Sequence, residues 1–171
     1  MASRDAKPRT RLVICVDGTQ PAGRTAHTNV SRLCAGVKRG LCVDSFGDKY
    51  DQIAKYVPGI GSADGLFSTD RIQASVLGQG YLKQVQDVYE TCCQLTGEKD
   101  EVWLFGFSRG AYVVRAVAGL LHHFNAIASA GQPEFGADFK RILKEAHRRS
   151  GQSNLSLSPV RWQQAYCTVH R

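Results

Sequence analysis

The sequence contains no apolar run that approaches the roughly twenty residues a membrane-spanning helix requires, so an integral membrane protein is not expected. Its first residues also lack the long apolar core of a secretory signal peptide. Both absences predict a cytoplasmic protein whose cysteines are reduced. Contact with lipid would then be made from the aqueous side.

Metal-binding spacings of cysteine and histidine are absent as well. The six cysteines form no C-x-x-C pair and no cysteine–histidine pattern of a zinc site. We therefore expect neither a metal nor a cofactor, and we interpret the cysteines as small buried hydrophobic residues. They stand at Cys15, Cys34, Cys42, Cys92, Cys93 and Cys167.

A basic stripe interleaved with aromatic residues, which is typical of nucleic-acid-binding proteins, is also lacking. The formal net charge is +7, but much of the excess lies in residues 3–11 and in a basic segment at 135–149. We expect this charge to aid solubility or to contact anionic surfaces. Nucleic acid is not an expected partner.

Length and composition indicate one globular domain. The chain has 171 residues, of which 43% are hydrophobic and 22% charged, and a chain of this size can bury a substantial core. Residues 1–10 are interpreted as a flexible basic lead and residues 11–171 as the domain. Within it, residues 150–171 form an atypical tail that begins with a stretch rich in serine and glutamine.

Strand and helix patterns alternate along the chain, while residues 59–74 are expected to be an irregular connection. The predicted strands are 11–16, 51–57 and 101–107. The predicted helices are 28–38, 81–95, 109–122 and a basic amphipathic helix at 135–149. This alternation favours an α/β fold with a mostly parallel sheet that is covered by helices on both faces.

One pentapeptide joins the third predicted strand to an almost wholly apolar helix: Gly106-Phe107-Ser108-Arg109-Gly110. It is a G-x-S-x-G sequence in the strand–turn–helix context of a nucleophile elbow, so Ser108 is the candidate nucleophile. Gly106 and Gly110 have no side chains that would clash where a tight turn brings neighbouring segments of the chain close together. The amides that begin the helix favour the negative oxygen of a tetrahedral intermediate. The plainer interpretation is a glycine-flanked turn with a solvent-facing serine.

Several segments besides the pentapeptide carry a family resemblance. They are VDGT at 16–19, TNVSRL at 28–33, Tyr56 with Gly59 and Gly61, GQGY at 78–81, and LFGFSRGAYVVRAVAGLL at 104–121. In this order they resemble the uncharacterised α/β-hydrolase family related to type VI secretion phospholipase effectors, which has many fungal relatives. The resemblance covers about residues 11–124. It implies a three-layer α/β-hydrolase-like fold and an esterase or lipase with a Ser-Asp-His triad, with Ser108 as nucleophile and an ester or lipid as substrate.

The loop after the first strand has two interpretations. In a hydrolase, the backbone amide of Gly18 or Thr19 can complete the oxyanion hole beside the amide of Arg109. Alternatively, Asp17 holds its own loop closed as an Asx-type turn. An aspartate phosphotransferase is excluded, because its nucleophilic carboxylate would stand at position 15, which is a cysteine.

Acid and base partners for Ser108 are not evident in the sequence. The resemblance implies an aspartate after a further strand and a histidine beyond it, and neither segment is found. His122 and His123 would close the helix about 20 Å from Ser108. His147 lies in the basic helix, and His170 is one residue from the last position.

Two functions from different classes therefore remain. The chain is either a serine hydrolase of carboxylic esters, represented here by a truncated sequence without its acid and base, or a catalytically inactive hydrolase-like module that binds a partner or ligand. Labelling of Ser108 by a fluorophosphonate probe would distinguish the two.

Overall fold

The computed structural model describes residues 8–18, 28–59, 70–95, 99–152 and 167–169, with the backbone alone at 70–79, 150–152 and 167–169. These residues form an α/β fold, which confirms the predicted class. In chain order the elements are β1 (Arg9–Val16), α1 (Asn29–Gly36), β2 (Gly40–Val43), β3 (Lys49–Val57), α2 (Asp70–Cys93), β4 (Glu101–Gly106), α3 (Arg109–Phe124), α4 (Phe135–Gln152) and β5 (Cys167–Val169).

The strands of the described residues form one sheet in the order β2-β3-β1-β4-β5. β1 lies at the centre and pairs in parallel with β3 and β4, whereas β2 and β5 pair antiparallel with β3 and β4 at the two edges. The sheet of the described residues is therefore mixed, and the prediction of a mostly parallel sheet is wrong because it lacked the two edge strands. Parallel strands that are buried on both faces consist of continuous apolar runs. β1 has this character, because residues 12–16 are all buried.

Side chains of β1 alternate between two hydrophobic clusters. Leu12, Ile14 and Val16 belong to the larger cluster, which also contains buried residues of α2, α3 and α4. Val13 and Cys15 belong to a smaller cluster that contains buried residues of α1. Since successive side chains of a strand point to opposite faces, the two clusters lie on opposite faces of the sheet.

A buried carboxylate links β1 to β4 at the end of the sheet where these strands begin. Glu101 accepts hydrogen bonds from Arg9 at 2.8 Å, Arg11 at 2.7 Å and Trp103 at 3.0 Å, and Arg9 also pairs with Asp44 at 2.6 Å. Burial raises the pKa of Glu101. The hydrogen bonds from Arg11 and Trp103, together with the charges of Arg11 and Arg9, lower this pKa by more, so that it lies below its ordinary value of 4.5. Because Arg9 takes part, β1 begins two residues before the predicted strand.

Helix α2 begins at Asp70, so the predicted helix start at residue 81 and the irregular connection through residue 74 are wrong. The glycines at positions 78 and 80 interrupt the apolar spacing from which a helix is predicted, yet a glycine inside a helix costs only about 1 kcal/mol. The predicted starts of α1, α3 and α4 are confirmed. No helix in the described residues combines the length and hydropathy that crossing a membrane requires.

The edge strands β2 and β5 are additional to the sequence prediction. β2 reaches β3 through a tight turn in which Asp44 accepts hydrogen bonds from the amides of Phe46 and Asp48, at 2.9 and 3.0 Å, and Gly47 has a φ of 88°. β5 consists of Cys167–Val169 and pairs with β4. Strands this short contain too few residues for an alternation of apolar and polar positions to be recognised.

Candidate active site

Three parallel strands end at one edge of the sheet, and this edge carries the candidate nucleophile. Val16, the last residue of β1, is in register with Val57 of β3 and with Gly106 of β4. The amide of Asp17 donates to the carbonyl oxygen of Val57 at 2.9 Å, and the amide of Phe107 donates to that of Val16 at 3.1 Å. Sites of open α/β sheets lie at this carboxyl edge.

Ser108 joins β4 to α3 in a strained backbone conformation. Its φ is 52° and its ψ is −121°, in the half of conformational space that residues with a side chain rarely adopt. Such strain costs about 1–3 kcal/mol and persists where the surrounding structure enforces it. Ser108 occupies the N-cap position of α3 but makes no side-chain capping hydrogen bond, and it is exposed. Its hydroxyl is thus held at the sheet edge without binding the helix amides that a capping serine binds.

Gly106 and Gly110 allow the chain to pass close to itself at this turn. A Cβ on Gly106 would lie 2.5 Å from the carbonyl oxygen of Gly110 and 2.7 Å from the Cα of Ala111. A Cβ on Gly110 would collide with the carbonyl oxygen of Val16 and lie 2.8 Å from that of Asp17. Real Cβ atoms essentially never approach other heavy atoms within 3.0 Å. The two glycines therefore let the turn between β4 and α3 pack directly against the end of β1.

Gly18 brings the loop after β1 against the candidate nucleophile. A Cβ on Gly18 would lie 2.8 Å from the Cβ of Ser108 and 3.4 Å from its Oγ. The amide of Arg109 is the first of α3, and the first amides of a helix have no acceptor within it and favour negative charge. Thr19 lies outside the described residues, so its predicted role as an oxyanion donor stays a prediction.

Asp17 anchors this loop to two other elements. Only 1% of its surface is exposed. Its Oδ2 accepts hydrogen bonds from the hydroxyl groups of Thr28, at 2.5 Å, and Tyr56, at 2.8 Å, and its Oδ1 accepts one from the amide of Gly18 at 2.8 Å. The carboxylate thus holds its own loop closed, and the Gly18 amide is engaged by it.

The contributions of Thr28 and Tyr56 are not evident from sequence patterns. Thr28 caps α1, and its hydroxyl accepts the amide of Ser31 at 3.0 Å. Burial, the hydrogen bond to Asp17 and the charge of Asp17 raise the pKa of Tyr56 to about 12. Positions 17, 28 and 56 are distant in sequence and meet only in the fold. Their occurrence in the motifs that carry the family resemblance is the signal that could have identified them.

Within the part of the chain that the structure describes, no histidine is placed beside Ser108. His122 and His123 lie in the last turn of α3, about 20 Å along the helix from Ser108, as the sequence predicts. His147 lies on α4, which contacts the last residue of α3. His170 is outside the described residues.

The cysteines whose side chains are described are free and buried, which confirms their interpretation as small core residues. Burial and the neighbouring thiol of Cys34 raise the pKa of Cys15 to about 12, and burial raises that of Cys92 to about 12. Because the thiolate is the nucleophilic form, neither thiol is reactive at neutral pH. Over the described ranges, no three side chains of histidine, cysteine, aspartate or glutamate gather as a metal ion would require.

Comparisons with known proteins give one family and one curated relative. A family model described as the T6SS phospholipase effector Tle1-like catalytic domain matches residues 10–166. The uncharacterized protein YEL023C of Saccharomyces cerevisiae is 26% identical in an alignment 129 residues long, which covers 68% of this chain and 18% of the yeast protein. The chain thus spans less than a fifth of the length of this relative. No solved structure matches.

Proposed function

The chain belongs to the family of T6SS phospholipase effector Tle1-like catalytic domains, and on that basis we propose that it is a serine hydrolase of carboxylic esters, with lipids as its substrate class. The observation that carries the proposal is the positive φ of Ser108, 52°, at the carboxyl ends of parallel strands. A nucleophile elbow exposes its serine in such a strained turn. The fold would then be three-layered, with α1 on one face of the sheet and α2, α3 and α4 on the other, in keeping with the two clusters.

In this proposal Oγ of Ser108 attacks the carbonyl carbon of the ester, and its proton passes to a base that then protonates the departing alcohol. The carbonyl oxygen becomes an oxyanion, to which the amide of Arg109 donates. The second donor comes from the loop after β1. Because the amide of Gly18 binds Asp17, the amide of Thr19 is the better of the two expected donors. Water then cleaves the acyl-enzyme with the same base.

The base and the acid of the triad are, in this proposal, outside the described residues. The described histidines lie at the far end of α3 and on α4, and a base must come within hydrogen-bond reach of the proton it accepts. The yeast relative is more than five times longer than the segment that matches this chain. We therefore propose that a longer parent protein supplies both groups and that this sequence is a truncated representative of it.

Exposed aromatic rings beside the candidate nucleophile fit a lipid ester. Phe107 directly precedes Ser108 and is 54% exposed, and Tyr112, one turn further along α3, is 63% exposed. Large apolar groups exposed together at a site indicate an apolar partner. The acyl chain of a lipid would cover both rings while its carbonyl group reaches Ser108.

A fluorophosphonate probe tests the nucleophile, because an activated serine displaces fluoride from its phosphorus and an ordinary serine does not. We expect the longer parent protein to be labelled and its Ser108→Ala variant to remain unlabelled. Ser45→Ala is the matched control, since Ser45 is exposed in the turn between β2 and β3, and it should label like the wild type. A folded parent protein without labelling would contradict the proposal and favour the inactive binding module.

Two histidine variants locate the base. His27 and His170 lie outside the described residues, so His27→Ala and His170→Ala are compared in the same labelling assay. If a longer parent protein supplies the base, this chain by itself and both of its variants should remain unlabelled. Loss of labelling in either folded variant would contradict the proposal of a truncated triad and assign the base to this chain.

A further inference from the structure

We propose that Asp17 is a positioning residue that holds Gly18, in the loop after β1, against Ser108 and so fixes the position of the nucleophilic hydroxyl group. The inference rests on the proposed function, since it assigns a task to this loop in that reaction. Asp17 acts through its neighbours and does not touch the reacting atoms. It is thus distinct from both the nucleophile and the missing base.

The anchoring of Asp17 involves three elements that meet at the carboxyl edge of the sheet. The hydroxyl of Thr28 comes from the start of α1 and that of Tyr56 from the end of β3, and both donate to Oδ2. The amide of Asp17 itself continues the β1–β3 pairing by donating to the carbonyl oxygen of Val57 at 2.9 Å. A loop tied to two neighbouring elements in this way cannot swing about the end of β1 without breaking several hydrogen bonds at once.

Because Asp17 is buried, its hydrogen bonds cannot be replaced by water without a large cost in free energy. Asp17 is 1% exposed, and a carboxylate removed from water is strongly destabilising unless hydrogen bonds replace its hydration. Hydrogen bonds to a charged acceptor are about twice as strong as those between neutral groups.

The contact between Gly18 and Ser108 shows why the loop position matters. The space beside Gly18 is so narrow that an added Cβ would lie 2.8 Å from the Cβ of Ser108 and 3.1 Å from the carbonyl oxygen of Phe107. A small inward shift of the loop would therefore displace Ser108, and an outward shift would remove the contact that supports it. A displacement of about 1 Å in a reacting group can cost about 10²-fold in rate.

A graded series of variants of the longer parent protein tests the assignment by the kinetics of fluorophosphonate labelling at Ser108. Asp17→Ala removes every side-chain anchor and should slow the maximal labelling rate by about tenfold or more. Asp17→Asn should slow it less, because an amide can still accept from Gly18 and hydroxyl groups can reverse to accept from the amide nitrogen. Tyr56→Phe should slow it roughly threefold to tenfold, as expected for one hydrogen bond.

The matched control is Tyr50→Phe, which removes a hydroxyl from the same strand at its opposite end and should label like the wild type. The probe concentration that gives half-maximal labelling should stay unchanged in the whole series, since a positioning defect lowers the rate of reaction and not the binding of the probe. Wild-type maximal rates in both Asp17→Asn and Tyr56→Phe would overturn the assignment, even if Asp17→Ala does not fold.

A second measurement separates this inference from the proposed function. In the wild type, the α-protons of Gly18 should show a nuclear Overhauser effect to the β-protons of Ser108, because the two residues are in contact. In a folded Asp17 variant this signal should weaken while methyl signals of Ile14, in the core, are retained. If the wild type is not labelled, the proposed function fails but this comparison still decides the role of Asp17. An unchanged signal in the variant would overturn that role.

Discussion

Replacing Gly110 by alanine should disrupt the packing that places Ser108, whereas replacing Gly119 should not. Both glycines lie in α3, Gly110 in its first turn and Gly119 in its interior. A Cβ on Gly110 would collide with the carbonyl oxygen of Val16 and lie 2.7 Å from its carbonyl carbon, but a Cβ on Gly119 meets nothing within 4 Å. The atoms that obstruct Gly110 belong to the backbone of a central strand, which no change of side-chain rotamer can move.

The size of the destabilisation in Gly110→Ala follows from the distance by which the new methyl group would separate α3 from β1. To restore an ordinary contact of 3.4 Å with the carbonyl oxygen of Val16, the end of β1 and the start of α3 would have to part by roughly 1 Å or more. Overpacking of this kind costs about 1–3 kcal/mol, occasionally more, while alanine in a helix interior is about 1 kcal/mol better than glycine. The alanine gain applies in full only to Gly119, because Gly110 lies in the first turn of α3. We expect Gly110→Ala to lose about 1–3 kcal/mol of unfolding free energy and Gly119→Ala to gain about 0.5–1 kcal/mol.

Urea unfolding followed by far-ultraviolet circular dichroism measures both changes. Fluorophosphonate labelling of the same variants in the longer parent protein measures whether Ser108 is still presented, and we expect it to be lost in Gly110→Ala and kept in Gly119→Ala. Equal urea midpoints for the two variants, together with equal labelling, would refute the close packing of α3 against the end of β1.

Two further predictions concern strain and charge. Ser108→Gly should be about 1–2 kcal/mol more stable than Ser108→Ala, because glycine adopts a positive φ without steric cost; equal unfolding free energies would show that the turn is not strained. Glu101→Gln should flatten the acid limb of a plot of unfolding free energy against pH. The folded-state pKa of Glu101 lies below its ordinary value of 4.5, so its stabilisation is present above that value and lost as pH falls through the folded-state pKa. Parallel curves for wild type and variant from about pH 2 to 5 would contradict this linkage.

Local sequence was sufficient wherever a short segment contains its own structural signal. The apolar residues before Gly106 predict a strand, the glycine-flanked pentapeptide predicts a turn, and the apolar residues after Gly110 predict a helix. The structure has β4, the turn at Ser108 and α3 at these positions. Thr28 predicts a helix start, and its hydroxyl does accept the amide of Ser31. Such signals depend on residues within one turn or one strand of each other, so no tertiary information is needed.

Local sequence failed where the partner of a segment is distant in the chain. β5 forms on the free edge of β4, and three residues alone cannot specify a strand. The first turns of α2 lack the apolar spacing that predicts a helix, yet the helix begins at Asp70. Isolated helices are marginal, and most helical stability in proteins comes from tertiary packing.

The sequence by itself determined the α/β class, the order along the chain in which the central strands and the helices follow one another, and Ser108 as the candidate nucleophile. These features follow from apolar periodicity and from glycine spacing, which act over a few residues. Only the tertiary structure decided that Asp17, Thr28 and Tyr56 form one hydrogen-bonded group beside Gly18. The physical reason is that parallel strands end at a common edge, so residues far apart in sequence become neighbours only once β1, β3 and β4 are in register.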